Sequence, residues 1–530
     1  MLLSIVLVTG MYVGMRLNEP FKFQHNLFSF RSSQFNKIND VVNYINQEYV
    51  DTVNQKRLVE NTIEVMLRNL DPHSVYVSAD DLQAMNEPLE GNFEGIGIEF
   101  HIQSDTIMVV SAVAGGPAEQ LGIRSGDRIV QVNGKNVGGI GITNLQVTQQ
   151  LRGASRSKVN VGILRRGVNS LVEYTITRGK IPIYSVDVSY MLDQNTGYIK
   201  ISHFAERTYE EYLEGFMKLK NEGMKNLVLD LRGNPGGYLK AAIQIADEFL
   251  AEKKLIVYTQ GRSRPRETYY ASGRGYFEKG QLVVLVDEGS ASASEIVAGA
   301  LQDQDRATVI GRRSFGKGLV QEQNEFSDGS AIRLTIARYY TPTGRSIQKP
   351  YVAGFEEYQH ELFDRMKKGE LGNTDSIKFP DSLRFITPAG KIVYGGGGIM
   401  PDVFVPLDTT GTSTFYINAN SKGLVTQFAY DYLDENRSSF ERYKAFTDFQ
   451  KRFLITDEMY RHFIAFTMKN GVPKDEEGQK LSSRVIKTQL RALIARQIWK
   501  NNGFYPIIGE MDLTLKKAME LIGLNEVASR

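Results

Sequence analysis

Gly-Ser-Ala-Ser-Ala-Ser-Glu-Ile at 289–296 and Ser-Phe-Gly-Lys-Gly-Leu-Val-Gln at 314–321 decide the reading of this chain. A run of small residues opens a helix, a strand follows, and a glycine-flanked lysine stands four residues before a glutamine. The pattern reads as a serine nucleophile, Ser292, with Lys317 as its base and Gln321 orienting the lysine. A serine hydroxyl attacks poorly until a neighbour takes its proton. Lysine can do so only as the neutral amine, so its pKa must fall well below the ordinary value of about 10.4, which burial achieves. Gly316 and Gly318 let the backbone pack close to Lys317 and exclude water. A glutamine amide oxygen accepts a hydrogen bond from the amine without the charge that would stabilise an ammonium. Ser292-x-x-Glu295 is equally a capping box, and Gly-Lys-Gly equally a solvated turn. The cap and the nucleophile are compatible, since a helix N-terminus also offers N–H groups to an oxyanion.

The chain has 530 residues, enough for about three domains. Its 63 basic and 61 acidic residues leave a net charge of +2, which gives no reason to expect a nucleic-acid partner. No cysteine is present, which excludes a thiol nucleophile, a disulfide framework and a cysteine metal site. No histidine-glutamate zinc motif appears, and no metal or other cofactor is called for. The six histidines are scattered and no Gly-x-Ser-x-Gly elbow surrounds a serine, so a Ser-His-Asp triad is the weaker reading.

Residues 1–15 are nearly all apolar and precede Arg16. The run is shorter than the roughly 20 residues of a spanning helix and has the look of a signal core, although no basic start or small-x-small cleavage site accompanies it. A short anchor, a signal sequence and a misplaced start stay open; export to, or anchoring in, the cell envelope on its periplasmic side is the expectation. From 35 to 70 apolar residues recur at helical spacing in two runs, ended by Asp71-Pro72. A packing or dimerisation arm and ordinary core packing both fit them.

Between 86 and 180 short strands alternate with glycine turns: Gly95-Ile-Gly-Ile-Glu-Phe100, Gly116-Pro-Ala-Glu-Gln-Leu-Gly122 and Ser125-Gly-Asp-Arg-Ile-Val-Gln-Val-Asn-Gly134. These features resemble a PDZ domain, which holds a C-terminal carboxylate in a backbone nest and adds the peptide to a sheet edge. Gly95, Ile96, Gly97 and Ile98 then form the carboxylate loop and the start of its strand. From 181 onward strands and helices alternate, the sign of a parallel sheet with crossover helices. Residues 196–201, 226–231, 255–258, 281–286 and 306–311 read as strands. Thr208 reads as a helix cap with Glu211 three on, and Asp328-Gly329 as a hairpin turn between 319–326 and 331–340. Asp303 ends the helix begun at Ser292, where the dipole disfavours it, so a partner is expected to hold it. Beyond about 407 the pattern is helical, with Phe440, Tyr443, Phe446, Phe449, Phe453 and Leu454 at three- and four-residue steps.

Ser-Ala-Ser-Ala-Ser-Glu-Ile at 290–296, Phe-Gly-Lys-Gly at 315–318, Gln321, Asp-Leu-Arg-Gly-Asn-Pro-Gly-Gly at 230–237 and Gly-Gly-Ile-Met-Pro-Asp at 397–402 together resemble the carboxy-terminal processing (tail-specific) proteases. The resemblance runs from roughly 35 to 405. It implies a Ser/Lys/Gln site with the middle serine, Ser292, as nucleophile. It also implies an oxyanion donor from Gly236 or Gly237 and a second from the amide of Ala293. The implied fold is α/β: a crotonase-like protease core with parallel-sheet character, an inserted PDZ β domain, and helical N- and C-terminal regions. The expected divisions are a signal or anchor segment 1–20, an N-terminal helical region 21–85, the PDZ domain 86–180, the peptidase core 181–408 and a C-terminal helical region 409–530. The implied activity is endopeptidase cleavage of proteins with exposed C-terminal tails, with membrane association through the N-terminal segment. An adaptor or a second copy of the chain are further partners left open. Two rivals stand beside this: an inactive PDZ-bearing binding protein, and a crotonase-like acyl-transfer enzyme.

Overall fold

The computed structural model describes residues 36–103 and 105–528. The apolar N-terminal run, with the export and anchoring expected of it, lies outside the described residues. Two helices, Asn36–Glu48 and Gln55–Arg68, open the described chain, the second capped by Asn54. Of their apolar positions Val42 and Leu67 are buried, whereas Val41, Tyr44, Val65 and Met66 are exposed. Asp71 turns the chain: its carboxylate accepts the N–H groups of His73 and Ser74 and the Ser74 hydroxyl. The turn delivers β1 (Val75–Val77), and a helix, Ala79–Glu90, follows.

A two-stranded stalk, β2 (Asn92–Gly95) against β9 (Gly179–Pro182), carries the small β domain. Its strands are β3 (Ile98–Gln103), β4 (Thr106–Ala112), β5 (Arg128–Val132), β6 (Lys135–Asn136), β7 (Lys158–Leu164) and β8 (Val172–Thr177). They run in the order β3-β4-β5-β7-β8, with β6 on β5, so β3 is an edge strand. Ile107, Val109, Ile129, Val147, Val159 and Ile163 make its core. Gly97 has φ +78°, and a Cβ there would sit 3.0 Å from the Ile181 side chain, so only glycine suits the bend entering β3.

The unit that follows holds a six-stranded sheet in the order β10 (Val186–Met191), β11 (Thr196–Ile201), β12 (Asn226–Asp230), β15 (Leu282–Val286), β16 (Thr308–Gly311) and β21 (Val403–Phe404). β11 to β21 are parallel and β10 is antiparallel to β11. Every residue of β12 and β15 is buried, as continuous apolar runs predict for strands covered on both faces. Leu227, Leu229 and Val284 face the helices Thr208–Asn221, Leu239–Asp247 and Ala293–Asp303. Val228, Val283, Leu285 and Ile310 face the other way, onto Leu515, Ala518 and Ile522 of the helix Leu513–Ala528. The C-terminal region is therefore the second layer over the six-stranded sheet.

A second sheet, β1-β18-β13-β14 with β17 on β18, is antiparallel; its other strands are β13 (Leu255–Gln260), β14 (Glu267–Tyr270), β17 (Leu319–Glu325) and β18 (Ala331–Tyr340). The strand read at 255–258 joins this sheet and not the parallel one. β17 and β18 form the hairpin read from Asp328-Gly329. A small hairpin, β19 (Arg384–Ile386) with β20 (Ile392–Tyr394), precedes β21. The Thr208–Glu211 capping box does not form: Arg207 is the cap residue, the Thr208 hydroxyl bonds Ala205 and Ser185, and Glu211 accepts from Ser185 and Val186. A tertiary partner outcompetes the local one there.

In the C-terminal region Phe440, Tyr443, Phe449 and Phe453 are buried while Leu454 is exposed. The helices Leu424–Glu435, Asp457–Lys469 and Ser483–Trp499 enclose a core that also takes in Met108 and Val110, the outward residues of β4.

Candidate active site

The strand β15 ends at Val286, and Asp287-Glu-Gly leads into the helix Ala293–Asp303. Ser292 is its first flanking residue, held at φ 53°, ψ −110°. A β-carbon at positive φ costs about 1–3 kcal/mol, and such a conformation persists only where neighbours over-determine it. Here they do. The Ser292 N–H donates to Glu295 Oε2 at 2.8 Å, and its carbonyl accepts from the Ile296 N–H and from the Tyr339 hydroxyl, each at 3.0 Å. The neighbouring serines are committed elsewhere: Ser290 Oγ donates to the Leu231 carbonyl and Ser294 Oγ to that of Asn234. Ser292 instead lines an open cleft of about 520 Å³.

Lys317 reaches the same cleft from the loop between β16 and β17. Its Nζ donates to Gln321 Oε1 at 3.1 Å, and Gln321 Nε2 donates to the His73 carbonyl. Burial holds the Lys317 amine below its usual pKa, and the Arg333 charge adds to this; Asp71 and Glu295 oppose it. His73 is neutral for the same first cause: burial, then the Lys317 charge, lower its pKa to about 3. Its Nε2 is 2.7 Å from the Tyr358 hydroxyl.

Glu295 is the hub of the site. Fully buried, it accepts from Ser314 Oγ at 2.5 Å, Gly316 N at 2.7 Å, Ser292 N at 2.8 Å and Lys317 N at 2.9 Å. Burial pushes its carboxyl up to about 7, against the pull of these four donors. Tyr339 completes the brace, its hydroxyl lying 2.5 Å from the Lys317 carbonyl as well as against that of Ser292. Serine and lysine peptides are thus tied to one carboxylate and one hydroxyl. Sequence reasoning took Glu295 for a cap and passed over His73 and Tyr339; nothing local marks a tyrosine in a strand or a histidine after Asp71-Pro72.

The loop after β12 meets the serine. A Cβ on Gly236 would lie 2.7 Å from Ser292 Cβ and 2.9 Å from Ala293 N, and one on Gly237 would lie 2.0 Å from the Phe204 carbonyl oxygen. Both glycines are at positive φ. The Gly236 N–H donates to Asn234 Oδ1 at 2.9 Å. Among the described residues no protein group accepts from the N–H of Gly237 or of Ala293. In the β domain, the Ile96 and Gly97 carbonyls accept from Ala118 and Val113, and no protein group among the described residues accepts from the Ile96 or Gly97 N–H. Asp303, at the far end of the helix Ala293–Asp303, has the expected partners: Arg345 at 2.7 Å, with Thr341 and Thr343. Among the described residues no group of three or more His, Asp or Glu side chains could hold a metal ion.

Residues 195–355 match peptidase family S41, 108–165 a PDZ domain, 5–81 the N-terminal domain of the activating protease CtpB, and 415–500 a family of unknown function. A carboxy-terminal-processing protease of Bartonella bacilliformis is 38% identical over 370 residues, covering 67% of this chain and 84% of its own. The carboxy-terminal processing protease CtpA of Bacillus subtilis is 36% identical over 366 residues, covering 69% and 77%. The solved photosystem II D1 C-terminal processing protease is 29% identical, covers 71% of this chain and 88% of its own, and superposes with a TM-score of 0.37. Fold and relatives define a serine-type peptidase of α/β architecture with an inserted PDZ domain. The chain belongs to the carboxy-terminal processing protease family, within peptidase family S41.

Proposed function

We propose that Ser292, Lys317 and Gln321 cleave peptide bonds near protein C-termini, with Gly237 and Ala293 as the oxyanion donors. One observation carries this: a buried amine with a lowered pKa, bonded to a neutral amide oxygen, shares a cleft with a serine at a helix start. Ser292 Oγ gives its proton to Lys317 Nζ as the Oγ–C bond forms. The carbonyl electron pair moves onto oxygen, where two unspent N–H groups receive it. Collapse breaks the C–N bond, and Lys317 returns the proton to the leaving amine. Water then attacks the acyl ester, giving its proton to Lys317; the second intermediate, held by the same donors, breaks its C–Oγ bond, and Ser292 Oγ takes that proton back from Lys317. Gly237 is preferred over Gly236 because the Gly236 N–H is already bonded to Asn234.

The PDZ domain captures the substrate's terminal carboxylate at Ile96 and Gly97, and the tail adds to the free edge of β3. Work in the cell envelope follows from the apolar run at 1–15 and suits a cysteine-free chain. A serine-directed fluorophosphonate tests the chemistry. It should label Ser292 in the wild type, found by peptide mass spectrometry, and label Lys317→Ala far more slowly. Labelling at another serine, or equal rates in the two proteins, overturns the assignment.

A further inference from the structure

The loop 232–237 is anchored by a residue from outside the catalytic core. Arg232, the residue before the loop's first glycine, points its guanidinium between two carboxylates. One is Asp230, fully buried at the end of β12. The other is Asp512, whose Oδ1 and Oδ2 accept from Arg232 Nη1 at 3.0 Å and Nη2 at 2.6 Å. Two parallel charged bonds fix the guanidinium's plane as well as its position. Lys200 Nζ donates to the Arg232 carbonyl at 2.9 Å and lies 3.6 Å from Asp230, and the Tyr198 hydroxyl donates to Asp230 at 2.6 Å. Lys200, Arg232, Asp230 and Asp512 therefore balance, two cations against two carboxylates. Without Asp512 the cluster under the loop carries one positive charge too many.

Asp512 stands beyond the residues matched to S41 and beyond the unassigned match at 415–500. Its Oδ1 also accepts the Leu515 N–H at 3.0 Å, starting the helix that covers the catalytic sheet. The same C-terminal region seats Met108 and Val110 of the PDZ sheet. It thus touches both the substrate-capturing domain and the root of the oxyanion loop.

We propose that Asp512 is a positioning residue for catalysis: through Arg232 it sets the loop that presents the Gly237 N–H, and so makes the C-terminal region part of the active apparatus. This rests on the oxyanion role given to Gly237 above.

Asp512→Asn tests it, because asparagine keeps an acceptor for the Leu515 N–H while removing the charge. The expected result is kcat lower by roughly 10- to 100-fold with KM unchanged. Affinity for a peptide aldehyde, whose hemiacetal oxygen occupies the oxyanion site, should fall by the same factor. The pH dependence set by Lys317 should not move, since the base is untouched. Asp512→Glu should recover part of the loss and keeps the test alive if the asparagine variant fails to fold. Tyr505→Phe is the control: it cuts another tie from this region to the core, the Tyr505–Asp187 bond of 2.5 Å, which includes neither Arg232 nor Asp512. It should leave kcat and aldehyde affinity within about twofold of wild type. An Asp512→Asn enzyme equally unchanged, or a Tyr505→Phe enzyme equally impaired, overturns the Asp512 assignment and leaves the oxyanion loop standing. A wild type that binds the aldehyde no better than the parent peptide overturns both.

Discussion

Glu295 gathers the N–H groups of Ser292 and Lys317 on one buried carboxylate oxygen, and Ser314 and Gly316 on the other. In Glu295→Gln, a glutamine that turns its NH2 toward Ser292 and Lys317 loses both of their N–H bonds; turned the other way it loses the Gly316 N–H bond, since the Ser314 hydroxyl can rotate and accept. Above pH 7, where Glu295 is ionised, each bond to it contributes about 1.5–3 kcal/mol, so urea unfolding there should show a loss of that order. The kcat should fall roughly 100-fold, because the serine and lysine peptides lose their shared anchor. Lys317 gives the opposite trade. Its folded-state pKa is lowered by burial, so the unfolded chain binds the proton more readily and stability rises with pH toward the ordinary lysine value. Lys317→Met should therefore raise Tm at neutral pH while abolishing turnover; a lowered Tm would show that the amine is not penalised by its surroundings. In the wild type kcat/KM should rise with pH along a limb whose midpoint lies below that of an ordinary lysine. At this scale the residues proposed to react could be picked out of the sequence, whereas the groups that hold them could not. Ser292-x-x-Glu295 is visible as a local pair, whereas the reach of Glu295 to Ser314, Gly316 and Lys317 exists only once the chain has folded.

Two similar local patterns had different fates. Ser292-x-x-Glu295 keeps its glutamate bond to the serine N–H, while Thr208-x-x-Glu211 gives its glutamate to Ser185 and Val186. A pattern three residues long cannot tell which tertiary donors will arrive, and that is why one reading survived. Strands were legible where burial is two-sided, as in β12 and β15, because continuous apolar runs have few other uses. Sheet membership was not: β13 is as apolar as a parallel strand, but its partners β14 and β18 come from the antiparallel layer. The helix Ala293–Asp303 is buried along its whole length, and Asp303 at its end pairs with Arg345, both side chains without solvent exposure. Breaking a buried pair leaves one charge uncompensated, at a cost of about 3–5 kcal/mol. Arg345→Met should show that loss in urea unfolding. It should also lower kcat modestly, since the pair fixes the helix end far from Ser292. A change below about 1 kcal/mol would mean that the pair does not hold this helix.

The whole molecule is organised around a sheet with two covers, helices of the core on one face and the helix Leu513–Ala528 on the other. The second cover was not legible, because the apolar residues of Leu513–Ala528 form no one-sided stripe that would mark a buried face. Its apolar residues match a sheet face only in three dimensions. The C-terminal region buries Met108, Val110, Val228, Val283 and Leu285 from two different domains. A chain ending at 408 should consequently be poorly soluble and inactive, and gel filtration with an activity assay would decide it. A monomeric, fully active 1–408 protein would show that the C-terminal region is dispensable. Removal of 87–178 should alter the preference for tailed substrates, read by comparing cleavage of one protein with and without an exposed C-terminal tail. Equal rates would deprive the PDZ domain of its place in substrate capture.

The direct test of the central claim is the turnover of one unfolded, tailed protein by wild type, Ser292→Ala and Lys317→Ala across the pH range. The wild type should cleave with a rate that rises with pH through the depressed lysine pKa, and both variants should be inactive at every pH. Cleavage by either variant at the wild-type rate, or a wild-type profile that rises only where an ordinary exposed lysine loses its proton, would contradict a serine activated by a buried amine.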